Sequence, residues 1–277
     1  MASIMKCNAA IYCVLALAAT CAADSPAREA LQQKLRSSMN GSVVTLRQFF
    51  QGRYLKFDSN GDPIDPPKTN TWTLDSKLKV SDVEVHERKI MIKGRRLAVI
   101  FEHGNAMQYR PTDQNLEIEL SFGKNEVDAA QAENALKRVF LSGEDKLSGL
   151  VPDFWREFVA TEIDHQAPLI HLPDGKGVRS MKELSALGPV KPPRVTKQPD
   201  PEYTEIARNA RLQGIVLLQA EITEDGQLRN VEIRKALGLG LDEAAVEAVQ
   251  KWRFQPAIWG GQPVAVKLNV EVNFRMR

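Results

Sequence analysis

The chain has 277 residues, of which 43% are hydrophobic and 26% charged, and its formal net charge is +2. These values are those of an ordinary soluble globular protein with room for one large or two modest domains. Acidic and basic residues are interspersed, and the basic stripe that a nucleic-acid-binding protein needs is missing. We therefore expect no nucleic-acid partner.

An apolar leader opens the chain. Lys6 precedes the apolar run of residues 8–23, which is shorter than the roughly 20 residues that cross a bilayer. Such a run, followed by Asp24-Ser25-Pro26, is typical of a secretory signal peptide cleaved after Ala22 or Ala23. We assign residues 1–23 to a signal peptide and predict export. A retained membrane anchor stays open as the alternative, and we expect membrane contact only in that case.

The cysteines lie entirely within this leader, at Cys7, Cys13 and Cys21. An exported and cleaved chain would carry no thiol. Disulfides, thiolate metal sites and cysteine catalysis are therefore excluded for the mature protein.

Residues 24–162 read as a strand-rich α+β domain of unknown type. A short polar helix is predicted at 26–40, without strong burial. Strands rich in β-branched and aromatic residues follow over 42–122, with turns expected at Asp58–Pro63 and at Lys93-Gly94. Helical periodicity then predicts helices over 125–141 and 150–159.

Residues 163–201 form a joint between two units. A short hairpin is expected over 167–180. The following stretch holds five prolines, which fix the backbone and remove amide donors, so it should be an extended linker or strap. These are Pro189, Pro192, Pro193, Pro199 and Pro201.

Residues 202–277 read as helix, strand, strand, helix and strand. Asp225-Gly226 is a strong hairpin signal between the first two strands. An apolar stripe from Leu241 to Trp252 predicts a helix with Asp242 in its first turn, where an acid favours the helix dipole. The final strand alternates cleanly, with six residues predicted to face inward. They are Val264, Val266, Leu268, Val270, Val272 and Phe274.

The glycine-rich stretch Gly238-Leu239-Gly240 raises the question of a phosphate loop. The Gly-Lys-Ser/Thr ending of a Walker loop is absent, and so is the third glycine of a dinucleotide loop. We interpret the glycines as relief for a tight turn before the helix. Trp252 and Phe254 are interpreted as core anchors at the end of that helix.

No catalytic or metal-binding constellation emerges from the sequence. The acidic loop at 58–62 resembles a calcium loop, but Pro63 and Thr69 stand where glycine and glutamate are required. His165 and His171 are six residues apart and do not match the spacing of a helical zinc site. We expect no cofactor, no metal and no enzymatic activity.

Ordered motifs from about Arg194 to Phe274 resemble the TonB C-terminal domain family. Each motif is weak alone, but their order along the chain is specific. Their structural positions are Tyr203, Gly214, Gly226, Leu241, Asp242, Ala245, Trp252, Phe254 and Pro256.

The resemblance implies a three-stranded antiparallel sheet with helices on one face, located in the Gram-negative periplasm. The family's best-known members carry proton-motive energy from the inner membrane to outer-membrane receptors by pairing an edge strand with a receptor peptide. Such β-augmentation takes its affinity from main-chain hydrogen bonds. A homodimer through the last strand, or an edge covered by the linker, stays open. The partner-binding residues implied here are Val264, Val266, Lys267, Leu268, Asn269, Val270, Glu271, Val272 and Phe274.

The sequence departs from an energy transducer in three respects: a cleavable leader, a short proline-rich stretch and an unrecognised upstream domain. We therefore predict a non-enzymatic periplasmic protein whose C-terminal module binds a partner peptide, linked to outer-membrane transport. A membrane-anchored energy transducer is one alternative. A ligand-binding or enzymatic upstream domain, localised by the TonB-like module, is the other.

Overall fold

The computed structural model describes residues 25–102, 105–167 and 178–276. The predicted signal peptide and most of the predicted hairpin at 167–180 lie outside these residues. Within the described ranges, no helix combines the length and the apolar character needed to cross a membrane.

A five-stranded sheet dominates the N-terminal unit, with the strand order β1-β3-β4-β5-β2. All its neighbouring strands are antiparallel except β5 and β2, which are parallel. Its strands are β1 (Val43–Thr45), β2 (Tyr54–Asp58), β3 (Lys77–Val85), β4 (Lys89–Glu102) and β5 (Ala106–Ser121). The prediction that this region is rich in strands is confirmed.

The turn expected at Lys93-Gly94 is wrong, because β4 runs unbroken through both residues. A Cβ at Gly94 would lie 2.4 Å from the carbonyl oxygen of Lys79 on the neighbouring strand. Glycine is therefore present because two backbones approach closely inside the sheet, as it often is in strand interiors.

Four helices accompany this sheet. Ser25 caps the first of them through the amide of Arg28, and Pro26 occupies its first turn, as such a start favours. The helix buries Leu31 and Leu35 and is therefore better anchored than its polar sequence suggested. The helices are α1 (Pro26–Met39), α2 (Trp72–Asp75), α3 (Ala129–Val139) and α4 (Asp153–Phe158), with a π-helical turn over Val159–Ile163 after α4.

The C-terminal unit contains three helices and a three-stranded antiparallel sheet with the order β13-β8-β9. The main elements match the predicted order, and the α+β fold class is confirmed. The helices are α5 (Met181–Leu187), α6 (Glu205–Asn209) and α7 (Leu241–Gln250), and the sheet strands are β8 (Gly214–Ile222), β9 (Leu228–Lys235) and β13 (Val266–Phe274).

The proline-rich stretch is extended, as predicted, but it is also paired with the C-terminal unit. Arg194–Lys197 pairs with Arg253–Gln255. Val190–Lys191 pairs with Ala257–Trp259, which forms a hairpin with Gln262–Val264. The sequence did not predict these small strands or α5. The strands are β6 (Val190–Lys191), β7 (Arg194–Lys197), β10 (Arg253–Gln255), β11 (Ala257–Trp259) and β12 (Gln262–Val264).

A single hydrophobic core joins the two units. Trp72, Phe101 and Trp155 from the N-terminal part pack in the same cluster as Val216 and Leu241 from the C-terminal part. A second core lies within the N-terminal unit between α1, α3 and the large sheet. The C-terminal unit is therefore docked on its neighbour by apolar packing, while the exact domain boundaries stay a prediction.

Candidate functional site

The last strand, β13, lies at the edge of the C-terminal sheet. It pairs with β8 from Val266 to Phe274 without a register shift, and no other described strand runs along its outer side. The strand begins two residues later than predicted, since Val264 lies in β12 opposite Ala257. All other predicted partner-binding residues lie in β13.

The outward direction of each backbone group in β13 follows from one hydrogen bond. The amide of Lys267 points away from β8 and donates to the carbonyl of Arg179 at 3.0 Å. Successive residues in an antiparallel ladder present their N–H and C=O groups to alternate sides. Asn269, Glu271 and Asn273 therefore direct theirs outward, and their side chains are exposed.

The start of this edge is covered by the segment that precedes α5. Ser180 forms a bridge with Lys267, and a reciprocal capping box between Ser180 and Glu183 fixes the helix start. Leu184 of α5 packs with Val266 in a small core. The outward backbone groups of Asn269, Glu271 and Asn273 have no such hydrogen bond to any described residue.

The inward side chains of β13 anchor the strand. Val266, Val270, Val272 and Phe274 are buried, and Leu268 is partly buried. The ring of Phe274 meets the ring of Tyr203 edge-on at 5.3 Å between centroids. The strand is therefore held in place by its buried inner face and by its hydrogen bonds to β8.

The opposite edge of the same sheet is covered. Helix α4 packs along β9. Asn105 donates a side-chain hydrogen bond to the carbonyl of Arg234 at 3.3 Å, and the guanidinium of Arg234 lies 3.9 Å from Glu157. Among the described residues, the β9 side of this sheet is therefore covered by the N-terminal unit, whereas the outer side of β13 from Asn269 onward carries no strand.

The glycine-rich stretch before α7 is a tight turn, as predicted, with φ of 90° at Gly238 and 76° at Gly240. The turn docks on the N-terminal sheet. Phe101 donates its amide to the carbonyl of Leu237, and Leu239 donates to the carbonyl of Val99. A Cβ at Gly238 would lie 2.2 Å from the oxygen of Val99. Glycine at position 238 therefore allows the backbones of the two units to come into contact.

Asp242 holds this turn from inside the protein. Its buried carboxylate accepts hydrogen bonds from the amides of Leu237 at 2.8 Å and Gly238 at 2.7 Å. The sequence predicted an acid that complements the helix dipole, but the side chain is fully buried and organises the turn instead. The neighbouring Glu243 accepts from the indole N–H of Trp155 at 2.8 Å, while its Oε2 has no partner.

These two acids have shifted pKa values. Loss of hydration raises the pKa of Asp242 above its ordinary value. Loss of hydration, followed by repulsion from the carboxylate of Asp242, raises the pKa of Glu243. Both shifts favour the neutral acids in the folded protein.

The raised pKa of Glu243 predicts a pH-dependent stability. The pKa of Glu243 is higher in the folded than in the unfolded protein. The stability that this difference contributes is complete below the unfolded pKa, near 4.5, and is lost as the pH rises through the folded pKa. We expect the Glu243→Gln variant, which keeps an acceptor for Trp155, to gain stability relative to the wild type between pH 5 and pH 8. Urea unfolding at both pH values checks this.

The control for this prediction is Glu271→Gln, which removes an exposed carboxylate of β13. Its stability should follow that of the wild type at both pH values. If the free energy of unfolding changes with pH by the same amount in Glu243→Gln and in the wild type, Glu243 is not the cause of the change.

The remaining motif residues are structural. Tyr203 donates its hydroxyl proton to the carbonyl of Leu212, and Trp252 donates its indole proton to the carbonyl of Pro199. The backbone of Gly226 lies so close to Phe254 that a Cβ would clash with its carbonyl oxygen. Of the predicted anchors, Trp252 is buried and Phe254 is partly buried. Gly214 starts β8, Leu241 and Ala245 are buried in α7, and Pro256 separates β10 from β11.

A cleft that no sequence pattern predicted lies at the junction of the two units. It has a volume of about 740 Å³ and is lined by residues from both sides. Its walls are residues 47–50, 69–72 and 150–152, together with Glu243 and Glu247 of α7. No cluster of metal-ligating side chains occurs in the part of the chain that the structure describes.

The C-terminal unit is a small α+β module whose sheet ends in the edge strand β13. The family described as "Gram-negative bacterial TonB protein C-terminal" matches residues 199–276. These residues therefore belong to the TonB C-terminal domain family, and the resemblance noted in the sequence is confirmed.

The chain is also similar to several known proteins over part of its length. The chain is 31% identical to Protein TonB of Vibrio cholerae over 31% of this chain and 36% of that protein. It is 35% identical to Protein TonB of Xanthomonas campestris over 27% of this chain and 34% of that protein. The solution structure of the Pseudomonas aeruginosa TonB C-terminal domain is 25% identical, with a TM-score of 0.27, and the match covers 30% of this chain and 86% of that one. The chain thus spans about a third of the length of the curated relatives.

Proposed function

We propose that the C-terminal module captures an extended segment of a protein partner by adding it as a fourth strand beside β13. The observation that carries this proposal is the row of outward backbone groups at Asn269, Glu271 and Asn273, which no described residue satisfies. A bare edge with rigid support is the template that β-augmentation uses.

The available edge sets the length of the partner segment. Arg179 and Ser180 occupy the position beside Lys267, so pairing is confined to the part of β13 from Asn269 onward. At about 3.4 Å per residue, a segment of roughly five residues fits this length. Affinity then comes from a few main-chain hydrogen bonds, each of which contributes on the order of 1 kcal/mol.

The partner that fits the family is a segment of an outer-membrane receptor. The relatives are named Protein TonB, and the module that this chain shares with them holds the strand in question. We propose a periplasmic, non-enzymatic protein linked to outer-membrane transport. Pairing of β13 with a second copy of the chain is the competing use of the same edge.

Retention of residues 1–23 separates the free periplasmic form from a membrane-anchored energy transducer. We expect the mature protein to begin at Ala23 or Asp24. Mass spectrometry of the protein isolated from its own host checks this. A mass that includes Met1 would instead favour the anchored transducer.

A proline placed at Glu271 tests the pairing. The amide of Glu271 points outward, so its loss spares the ladder with β8, and edge strands tolerate proline at such positions. We expect Glu271→Pro to weaken binding of extended peptides from the host's outer-membrane receptors by about tenfold or more, because it removes a donor and places a ring at the interface. Fluorescence anisotropy with labelled peptides measures this loss.

Glu271→Ala is the matched control, because it removes the side chain and keeps the amide. It should bind the peptides nearly as well as the wild type. Equal affinity of the proline variant and the wild type, with circular dichroism showing a retained fold, would contradict strand pairing at β13. If the wild type forms a dimer and binds no peptide, and Glu271→Pro is monomeric, the edge serves self-pairing.

A further inference from the structure

The proline-rich stretch forms one strand of a two-stranded ribbon on the C-terminal unit. β6 leads into β7, and β10 leads into β11, so residues 190–197 run antiparallel to residues 253–259. The pairing keeps one register up to Val195, which lies opposite Phe254. We call these two segments the basic ribbon, because the cations described next lie on it.

One face of the basic ribbon is cationic. Phe254 packs inward against the hydrophobic cores, so its neighbours Arg253 and Gln255 point to the opposite face. A shift in the pairing puts Lys197 opposite Arg253, and Arg194 lies opposite Gln255. Residues that lie opposite each other on paired strands share a face. The three cations are therefore on the outward face, and all three are exposed.

These cations have no counter-ion in the described part of the chain. Neither they nor the exposed Lys191 and Lys251 beside them form an ion pair with a described acidic residue. Arg253 uses one guanidinium nitrogen to cap the end of α7. Like charges directly opposite each other destabilise a sheet, so the pair of Lys197 and Arg253 weakens the free ribbon. An anion supplied from outside would remove this repulsion.

Apolar side chains lie at the same part of the surface. Leu187, just before β6, is 58% exposed, the largest value for a large apolar residue in the described ranges. Trp259 on β11 is half-buried, and its indole nitrogen lies beside Gly188. Val195 is 44% exposed. Basic residues next to an exposed aliphatic side chain and a tryptophan are typical of protein surfaces that lie among lipid headgroups.

We propose that the basic ribbon binds the surface of an anionic phospholipid membrane. Arg194, Lys197 and Arg253 pair with the lipid phosphates, and Leu187 and Trp259 lie at the level of the headgroups. The choice of a membrane rests on these apolar neighbours and on the proposed function, which places β13 beside a membrane receptor. A module held on the bilayer meets a receptor segment at a raised local concentration. This contact does not require residues 1–23 as an anchor.

The test is flotation of the chain from Asp24 to Arg277 with lipid vesicles. The vesicles contain phosphatidylcholine alone or phosphatidylcholine mixed with phosphatidylglycerol. We expect the protein to bind the mixed vesicles at least about tenfold more strongly at low salt, because each basic residue near an anionic surface strengthens binding roughly fivefold. Raising the salt concentration should remove this preference, since salt screens exposed charges.

Two double variants of equal charge connect the binding to the basic ribbon. Arg194→Gln combined with Lys197→Gln should weaken binding to the mixed vesicles by about tenfold or more. The matched control combines Lys79→Gln with Arg95→Gln, which are also exposed and lie opposite each other, but on β3 and β4. It should bind within about twofold of the wild type. Leu187→Ser should weaken binding by about threefold, because it removes the apolar contact.

Several results would overturn the proposal. One is an equal loss in the two double variants, with circular dichroism showing that both are folded. Another is wild-type binding that does not differ between the two kinds of vesicle. Binding to a polyglutamate peptide without binding to mixed vesicles would assign the basic ribbon to an acidic protein instead.

Vesicle binding and strand pairing are measured separately. Glu271→Pro should bind mixed vesicles as the wild type does, because Glu271 lies on β13 and outside the basic ribbon. Receptor peptides are titrated without vesicles, and the variant with Arg194→Gln and Lys197→Gln should bind them normally. Peptide binding without vesicle binding would overturn the membrane proposal and leave the proposed function standing.

Discussion

Replacing Gly238 with alanine is expected to destabilise the protein by about 2–4 kcal/mol. The residue has a φ of 90°, which costs a non-glycine residue about 1 kcal/mol. Its new Cβ would also lie 2.2 Å from the carbonyl oxygen of Val99, and backbone atoms cannot move aside as a flexible side chain can. Urea unfolding followed by circular dichroism measures the loss.

Gly261→Ala separates the two causes. Gly261 has a similar φ of 84°, but no atom lies within 4 Å of the position that its Cβ would take. This variant should lose only about 1 kcal/mol. Equal losses in the two variants would mean that the turn before α7 does not contact β4 as described.

Arg96→Met is expected to cost about 3–5 kcal/mol, because it leaves a buried charge without its partner. Arg96 is 1% exposed and lies 3.0 Å from the carboxylate of Asp75. It also donates to the carbonyls of Phe50 at 2.7 Å and Gly52 at 3.0 Å. Its loss therefore also releases the backbone that forms one wall of the junction cleft.

The neighbouring Arg95 supplies the control for this prediction. Arg95 is exposed on the same strand, so Arg95→Met should change the free energy of unfolding by less than about 0.5 kcal/mol. Raising the pH should enlarge the defect of Arg96→Met, because the isolated carboxyl of Asp75 must ionise inside the protein. A loss in Arg96→Met as small as that in Arg95→Met would contradict the buried pair.

Local patterns predicted the elements that depend on local chemistry. The alternation of apolar and polar residues from Val266 to Phe274 predicts which side chains of β13 are buried, because successive side chains of a strand point to opposite faces of the sheet. The strand β8 spans the predicted segment Gly214–Ile222, and Asp225-Gly226 forms the expected turn. The ordered motifs from about Arg194 to Phe274 identified the family, whose model matches residues 199–276.

The features that the sequence did not predict depend on contacts between distant residues. Gly94 has the local character of a turn, and only the closeness of Lys79 explains it as part of a strand. The short strand β7 has an unremarkable sequence, and it forms because β10 lies beside it. Asp242 resembles an ordinary first-turn acid until the amides of the preceding turn are placed around it.

The docking of the two units bears directly on the proposed function. Because the N-terminal unit covers β9 and the segment before α5 covers the start of β13, the proposed partner strand would take one position on this sheet, beside the described residues from Asn269 onward. The position consists of main-chain groups, so it restricts the partner's conformation more than its sequence. The junction cleft is lined by Glu243 and Glu247 of α7 and by no residue of β13.

Hydrogen exchange of the β13 amides tests the edge-strand account most directly. In the free protein, we expect the amides of Asn269, Glu271 and Asn273 to exchange quickly and those of Val270 and Val272 to exchange slowly, because only the latter two donate to β8. A saturating receptor peptide should slow exchange at the three outward amides by tenfold or more, about 1.4 kcal/mol of protection. Outward amides that are already protected in the monomeric free protein, or that exchange unchanged with peptide bound, would contradict the account.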